Sequence, residues 1–341
     1  MDKILIVHDC DQELSGGAFV LQDTIRRELD RDAFSNSLIL CHRSQIHSLI
    51  DSVVGVYSLT PVIPSVKQKP LALTVWDTGH LQYPSFPEYQ VEKGGWPAVY
   101  RDQYYRDRLS EASFVVTGSE VGKLNLQREY RIHPSNIVVN PFPVDALRIQ
   151  NKNVSRDANL SIFYPANFWP HKNHILLIEA LSKLRYRNPE VILHLTGADK
   201  GNLQYIKNMI QAYDLQSNVH IHGFVSREKL MNLYSQCGLF IFPSLLGPDN
   251  LPPLEAISKG CKVAVADILG VRDIYGDKVF YFDPYDSETL AERILSWLGS
   301  DPITNIPEGF ATSYNYVNTI KSVCKRLVHL SRLAALDYRE I

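Results

Sequence analysis

The sequence predicts an α/β protein built from two doubly wound parallel sheets, and three observations carry that expectation. Short, continuously apolar runs alternate with longer amphipathic stretches, the pattern of parallel strands covered by helices on both faces. The alternation halts in a polar, Asn-rich segment at residues 148–159, read as a linker, and then starts again. At 341 residues the chain has room for two domains of roughly 150 residues each, and either half can bury its own core.

In the first half, residues 4–7 (ILIV) read as a buried strand and residues 19–29 as the helix after it. Residues 37–41, 71–76 and 114–117 are further apolar runs, the last followed by a helix over 119–130, and 137–139 is another strand. The second half opens with a strand at 160–164, a helix at 174–187, a strand at 191–196 and a helix at 203–213. Strands at 219–222, 239–242, 262–266 and 279–282 then alternate with helices at 229–236, 253–259 and 287–298. A final helix over 316–336 can pack on either domain. No internal repeat or low-complexity tract interrupts this order.

Composition narrows the function classes. Hydrophobic residues make up 45% and charged residues 21%, an ordinary globular mixture that argues against disorder. The net charge is −2, so no broad basic field exists to hold nucleic acid by counterion release, and no nucleic-acid partner is expected. A phosphate-bearing small ligand needs only a few well-placed donors. The five cysteines, Cys10, Cys41, Cys237, Cys261 and Cys324, are widely spaced and form no CxxC pair. They are expected to be reduced and mostly buried, as in a cytoplasmic protein. The apolar run at residues 4–7 is too short for a signal peptide, and nothing approaches the ~18 apolar residues of a membrane span. A single basic helix would suffice for peripheral contact with the inner face of a membrane.

Ligands of open parallel sheets bind outside the carboxyl ends of the strands, so the loops there are the places to search. Residues 9–18, DCDQELSGGA, pair a flexible Gly16-Gly17 with a helix start whose amides can face an anion, or form a plain connecting loop. GxGxxG is absent, which speaks against a dehydrogenase-type dinucleotide site. Residues 75–89, VWDTGHLQYPSFPEY, bring Trp76, Asp77 and His80 to a strand end, where an aromatic face, a carboxylate and an imidazole can grip sugar hydroxyls. A lone loop histidine is more often solvated or structural. In residues 164–174, YPANFWPHKNH, Lys172 stands where a helix begins, so its ammonium and the helix amides can face a phosphate. A merely structural lysine there would oppose the helix dipole. In residues 242–260, FPSLLGPDNLPPLEAISKG, Pro252-Pro253 pre-set a helix start. Glu255 is then expected in the first turn, as a carboxylate for the two hydroxyls of a ribose or as a cap complementing the dipole. Two phosphate-facing helix starts, a lysine and this carboxylate suit a nucleoside diphosphate.

Residues 160–300 resemble the donor domain of a GT-B glycosyltransferase of family GT4, through PANFWPHKNH and GPDNLPPLEAISKGCKVAVADILGVRDIYGD. The first half is similar through the Gly16-Gly17 loop, VWDTGHLQYPSFPE, and VTGSEVGKLNLQREY at residues 116–130. The resemblance implies two Rossmann-like domains facing across a cleft. Residues 1–150 would form the acceptor side and 151–315 the donor side, with residues 316–341 a terminal helix able to cross back. It implies no metal and no cofactor. The reaction would move a hexose from a nucleoside-diphosphate sugar, UDP or GDP, to a hydroxyl of a glycan or lipid-linked glycan acceptor, with retention. Lys172 would bind the donor diphosphate, Glu255 the ribose, the Asn250-Leu251 amides a phosphate, and Gly223-Phe224-Val225 the base. Gly17 would face the donor phosphates or the acceptor.

Three positions depart from the family pattern. The first of its paired glutamates falls on Gly247, which leaves Asp249 as the stand-in for the donor-sugar contact. An arginine common five residues before the lysine is Asn167. The histidine often found at the strand end of the first domain is Trp76, with His80 four residues later. The GPDNLPPLEA loop is read as the mark of a bacterial-type subgroup. The expected mechanism is a front-face displacement in which Lys172 and helix amides stabilise the leaving diphosphate. The alternatives are a non-catalytic nucleotide-sugar-binding protein, or a nucleotide-sugar epimerase on the same scaffold.

Overall fold

The computed structural model describes residues 2–8, 17–29, 37–66, 68–90, 97–143, 160–247, 249–300 and 313–337. The predicted linker at 148–159 lies outside the described residues. So does the loop before Gly17, including Gly16. In chain order the elements are β1 (Ile4–His8), α1 (Gly17–Leu29), β2 (Leu38–His42), α2 (Ile46–Leu49), β3 (Gly55–Ser58), β4 (Leu71–Thr74), α3 (Gly79–Gln82), α4 (Ala98–Glu111), β5 (Phe114–Thr117), α5 (Glu120–Tyr130) and β6 (Ile137–Val139). There follow β7 (Ser161–Pro165), α6 (His174–Leu184), β8 (Ile192–Thr196), α7 (Leu203–Ala212), β9 (Val219–Ile221), α8 (Arg227–Gln236), β10 (Leu239–Phe242), α9 (Leu251–Ser258), β11 (Val263–Ala266), α10 (Val271–Tyr275), β12 (Phe280–Phe282), α11 (Ser287–Leu298) and α12 (Ser313–Asp337). Two compact units result. One comprises Met1–Gln82, Ala98–Pro143 and Ala311–Ile341, and the other Tyr83–Pro97 and Val144–Phe310.

The first unit is a parallel sheet in the order β2-β1-β3-β4-β5-β6. Alternate residues of β1 serve opposite faces, as the two-residue period of a strand requires. Ile4 and Ile6 join a core with Tyr57, Phe114 and Val116, while Leu5 and Val7 join another with Val56, Leu71 and Leu73. The first of these cores is completed by α12. Tyr316, Val317, Ile320, Val323, Cys324 and Leu327 recur at helical spacing and are all buried, so the last helix of the chain belongs to this first unit.

Two elements of this unit escape the periodicity. β3 lies between β1 and β4, yet its run is interrupted by Gly55 and ends in serine. The glycine is there for space: a Cβ would stand 3.0 Å from Ile4 Cδ1, 3.2 Å from Leu327 Cβ and 3.3 Å from the Pro70 carbonyl. α4 buries Tyr105 alone along its length. It is laced instead by pairs such as Arg106–Asp102 at 2.9 Å, so it has no apolar stripe to read.

The second unit is a parallel sheet in the order β12-β11-β10-β7-β8-β9. Its first strand in sequence is central, paired with β8 on one side and β10 on the other. The chain therefore winds outward one way through β8 and β9, then crosses to β10 and winds outward the other way. Phe163, Phe240 and Tyr234 pack edge to face and stacked within this unit, with centroids 5.1–6.4 Å apart. His174, at the start of α6, is wholly buried against Tyr164 and Phe168. The four described cysteines are free and buried. No helix among the described residues is long and apolar enough to cross a membrane.

Gly55→Val would force β3 away from Ile4 and Leu327. It is expected to destabilise the protein by about 1–3 kcal/mol in urea unfolding, with the denaturant slope unchanged. Burial pushes the His174 imidazole down to about 3 and that of His80 to about 4. Both lie below the ordinary value, so the unfolded chain takes up protons first as the pH falls. Stability is complete above about pH 6.5 and declines from there toward the folded-state values. His174→Phe should reduce the stability lost between pH 7 and pH 5 by about 2 kcal/mol, read from unfolding curves at the two pH values.

Candidate functional site

In the second unit, the switch in winding direction lies between β7 and β10, so the loops after these strands emerge side by side at the carboxyl edge of the sheet. The first loop runs through Ala166 to a tight turn at Pro170–Lys172, and Asn173 then caps α6 in a left-handed conformation. The second runs from Pro243 to Asn250, the N-cap of α9. Lys172 joins them. Its Nζ donates to Asn250 Oδ1 at 3.0 Å and to Ser244 Oγ at 3.3 Å, and lies 5.2 Å from the centre of the Phe242 ring.

The backbone around the lysine is fixed from several directions. The Tyr164 hydroxyl donates to the Lys172 carbonyl at 2.7 Å, and the Leu245 amide donates to the His171 carbonyl at 2.9 Å. Asn173 Nδ2 donates to the Pro284 carbonyl at 2.8 Å. Asn250 is held in turn: its Nδ2 donates to the Leu246 carbonyl at 3.0 Å and to the Gly247 carbonyl, and its own carbonyl accepts from the Tyr275 hydroxyl at 3.3 Å. A lysine tied by its head and by both flanking peptides presents its charge in one place.

Glu255 sits one turn into α9. The helix begins at Leu251, two residues before the expected start, which moves Glu255 from the first turn to the second. Asn250, extended at the N-cap, with Pro252 as the second helical residue, supplies the earlier start. Pro252 and Pro253 are the second and third helical residues and carry no N–H, so the start of α9 leaves an anion the amides of Asn250 and Leu251. The Glu255 carboxylate accepts from Tyr234 Oη at 3.0 Å and pairs with Arg227 Nη1 at 3.1 Å. Burial, reinforced by the adjacent carboxylate, holds the Tyr234 phenol well above its ordinary value, so it remains a donor. Asp249 is buried, with the buried Tyr275 phenol beside it.

The loops after β8 and β9 complete this edge. Asn167 Oδ1 accepts from the Ala198 amide at 2.9 Å, and the Gly197 amide donates to the Gly223 carbonyl at 2.9 Å. Gly197 adopts φ +148°, and a Cβ there would stand 2.1 Å from the Ala166 carbonyl oxygen, so only glycine lets the loops approach. Phe224, between Gly223 and Val225, is 54% exposed. An exposed aromatic at the head of the α8 connection is available to a ligand.

The residues predicted in the first half lie in the first unit. Asp77 accepts from the Gly79 amide at 2.9 Å and pairs with Arg101 at 3.3 Å. His80 is buried, hydrogen-bonded to Tyr130 Oη at 3.1 Å and edge-on to Tyr105. Burial first, then the Arg101 charge, keeps its imidazole neutral. Trp76 donates to the Leu59 carbonyl at 3.0 Å and stacks on Phe142. Gly17 starts α1. Lys172 and Asn250 are thus brought into contact, Glu255 stands on the helix that Asn250 caps, and Asp77 and His80 belong to a separate network. Ser244, Tyr234, Tyr275 and Gly197 were not singled out by sequence. Each is common in cores and turns, and only its partner gives it meaning.

Tyr234→Phe removes one donor from a carboxylate that is 15% exposed. It should cost about 1–3 kcal/mol of stability, and the loss should shrink when Glu255→Gln is already present.

Residues 145–308 match the family model described as Glycosyl transferases group 1. A serotype-specific mannosyltransferase, WbdA, from Escherichia coli is 32% identical over 126 residues, which are 36% of this chain and 15% of that protein. The structure is similar to that of a glycosyltransferase from Rickettsia africae, with TM-score 0.67 at 17% identity over 96% of this chain and 99% of that one. It is equally similar to Anabaena Alr3699/HepE in complex with UDP-glucose, with TM-score 0.66 at 16% identity over 99% and 100% of the two chains. The chain therefore has the GT-B fold, two Rossmann-like parallel-sheet units, and its residues 145–308 match the glycosyl transferases group 1 family.

Proposed function

We propose that this protein is a retaining glycosyltransferase that moves a hexose from a nucleoside-diphosphate sugar to a hydroxyl of a glycan acceptor. The observation that carries the reading is the placement of the Lys172 ammonium against Asn250 and Ser244, where the loops after β7 and β10 meet. A diphosphate seated there meets the lysine charge together with the Asn250 and Leu251 amides at the start of α9. In this reading Glu255, one turn further along, takes the ribose hydroxyls, and Gly223-Phe224-Val225 the base.

In the reaction, the bond between the sugar C1 and the β-phosphate oxygen breaks as the acceptor oxygen bonds to C1 on the same face. The acceptor proton passes to the departing phosphate, whose growing charge Lys172 stabilises. Fixed donors aimed at developing charge contribute most when their positions are set in advance, and the ties around Lys172 do this. In this reading no metal ion takes part. The mannosyltransferase relative makes mannose the first sugar to test, and the UDP-glucose complex of the structural neighbour makes uridine nucleotides the first donors.

Thermal-shift screening against UDP, GDP, ADP, dTDP, CDP and their sugar conjugates tests the site. One nucleotide should raise the melting temperature. Lys172→Ala should weaken the nucleoside diphosphate about 10- to 100-fold while leaving the nucleoside unaffected, as expected for a lost charged hydrogen bond. Slow release of free sugar from the matching donor should accompany binding and fall at least about 100-fold in the same variant. Turnover within a few fold of the parent would remove Lys172 from the mechanism. Nucleotide binding without any sugar release would mark a binding protein.

A further inference from the structure

One buried carboxylate of the second unit is only half used by the described residues. The segment Tyr83–Pro97 lies in sequence between α3 and α4, yet it belongs to the second unit. Its turn at Pro87–Tyr89 carries Glu88. The Glu88 side chain is 6% exposed, and Oε1 is held in a short contact by Nδ1 of His171, which is 15% exposed. Oε2 is buried and receives no hydrogen bond from any described residue. Buried polar atoms are almost always paired, so a carboxylate oxygen in this state is a place where a donor from outside the protein belongs.

Its position says which donor. His171 immediately precedes Lys172, and its carbonyl is pinned by the Leu245 amide from the loop after β10. The inference rests on the donor reading above: a sugar hanging from a diphosphate at Lys172 lies beside the backbone that carries His171. Phosphate oxygens are repelled by a carboxylate, whereas a sugar hydroxyl makes a short, charge-assisted bond to it. We propose that Glu88 binds a hydroxyl of the transferred sugar through Oε2, with His171 as the positioning residue that aims the carboxylate. The carboxylate that recognises the sugar is then supplied by a segment outside the strand–helix repeat.

Calorimetric titration of the full chain with UDP, GDP, UDP-glucose and GDP-mannose separates the sugar contact from the nucleotide contact. Glu88→Gln should leave affinity for the nucleoside diphosphate within about twofold of the parent. Affinity for the sugar conjugate should fall about 10- to 100-fold, the span of a lost charged hydrogen bond. His171→Gln should give a smaller loss of the same kind. With a deoxy-sugar conjugate lacking the bound hydroxyl, the Glu88→Gln penalty should vanish. Should Glu88→Gln fail to fold, Glu88→Asp, which withdraws the carboxylate by one methylene, is read in the same way. Equal losses for diphosphate and conjugate, or no loss for either, would overturn the assignment while leaving the donor reading intact. A parent protein that binds no nucleotide would overturn both.

Discussion

A parallel sheet whose first strand is central must set two outgoing loops side by side, and the second unit depends on that constraint. β7 pairs with β8 and with β10, so the loop that follows β7 has the loop that follows β10 as its neighbour. The Lys172–Asn250 hydrogen bond exists because of this adjacency. Glu255 inherits its place from the same source, since Asn250 both receives the lysine and starts the helix that carries the glutamate. Had β10 been added beyond β9, these residues would stand at opposite edges of the sheet.

The lysine site shows how neutral neighbours prepare a charge. Ser244 and Asn250 offer dipoles, the Phe242 ring offers its face, and Tyr164 holds the peptide carbonyl. Together they fix where the ammonium stands. Glu255 differs, because an arginine and a buried phenol already engage it. In the proposed reading, a ribose shares that carboxylate with Arg227 or displaces it. Glu88 lies between these cases, with one oxygen engaged and the other not, among the described residues.

The first unit shows how chain order and spatial order part company. Its core is completed by a helix from the far end of the sequence, and Gly55 is the point at which that helix reaches the sheet. The short segment Tyr83–Pro97 makes the reverse excursion. Asp77 and His80, only a few residues before it, are engaged by Arg101 and Tyr130.

Much of this was legible in the residues. Continuous apolar strands such as ILIV and LFIF are buried on both faces and announce themselves without tertiary information. Lys172, Asn250 and Glu255 stood out because glycine and proline punctuate their loops and because their motifs resemble a known family. β3 and α4 did not, since one trades side chains for close approach and the other is held by ion pairs. The order of strands, the ties around Lys172, the tethering of Glu255 and the pairing of Glu88 with His171 were decided by tertiary structure alone. The side-chain pairs named here join residues between 21 and 83 positions apart in sequence. Local patterning constrains only the face a residue turns inward, and long-range pairing depends on which strands become neighbours.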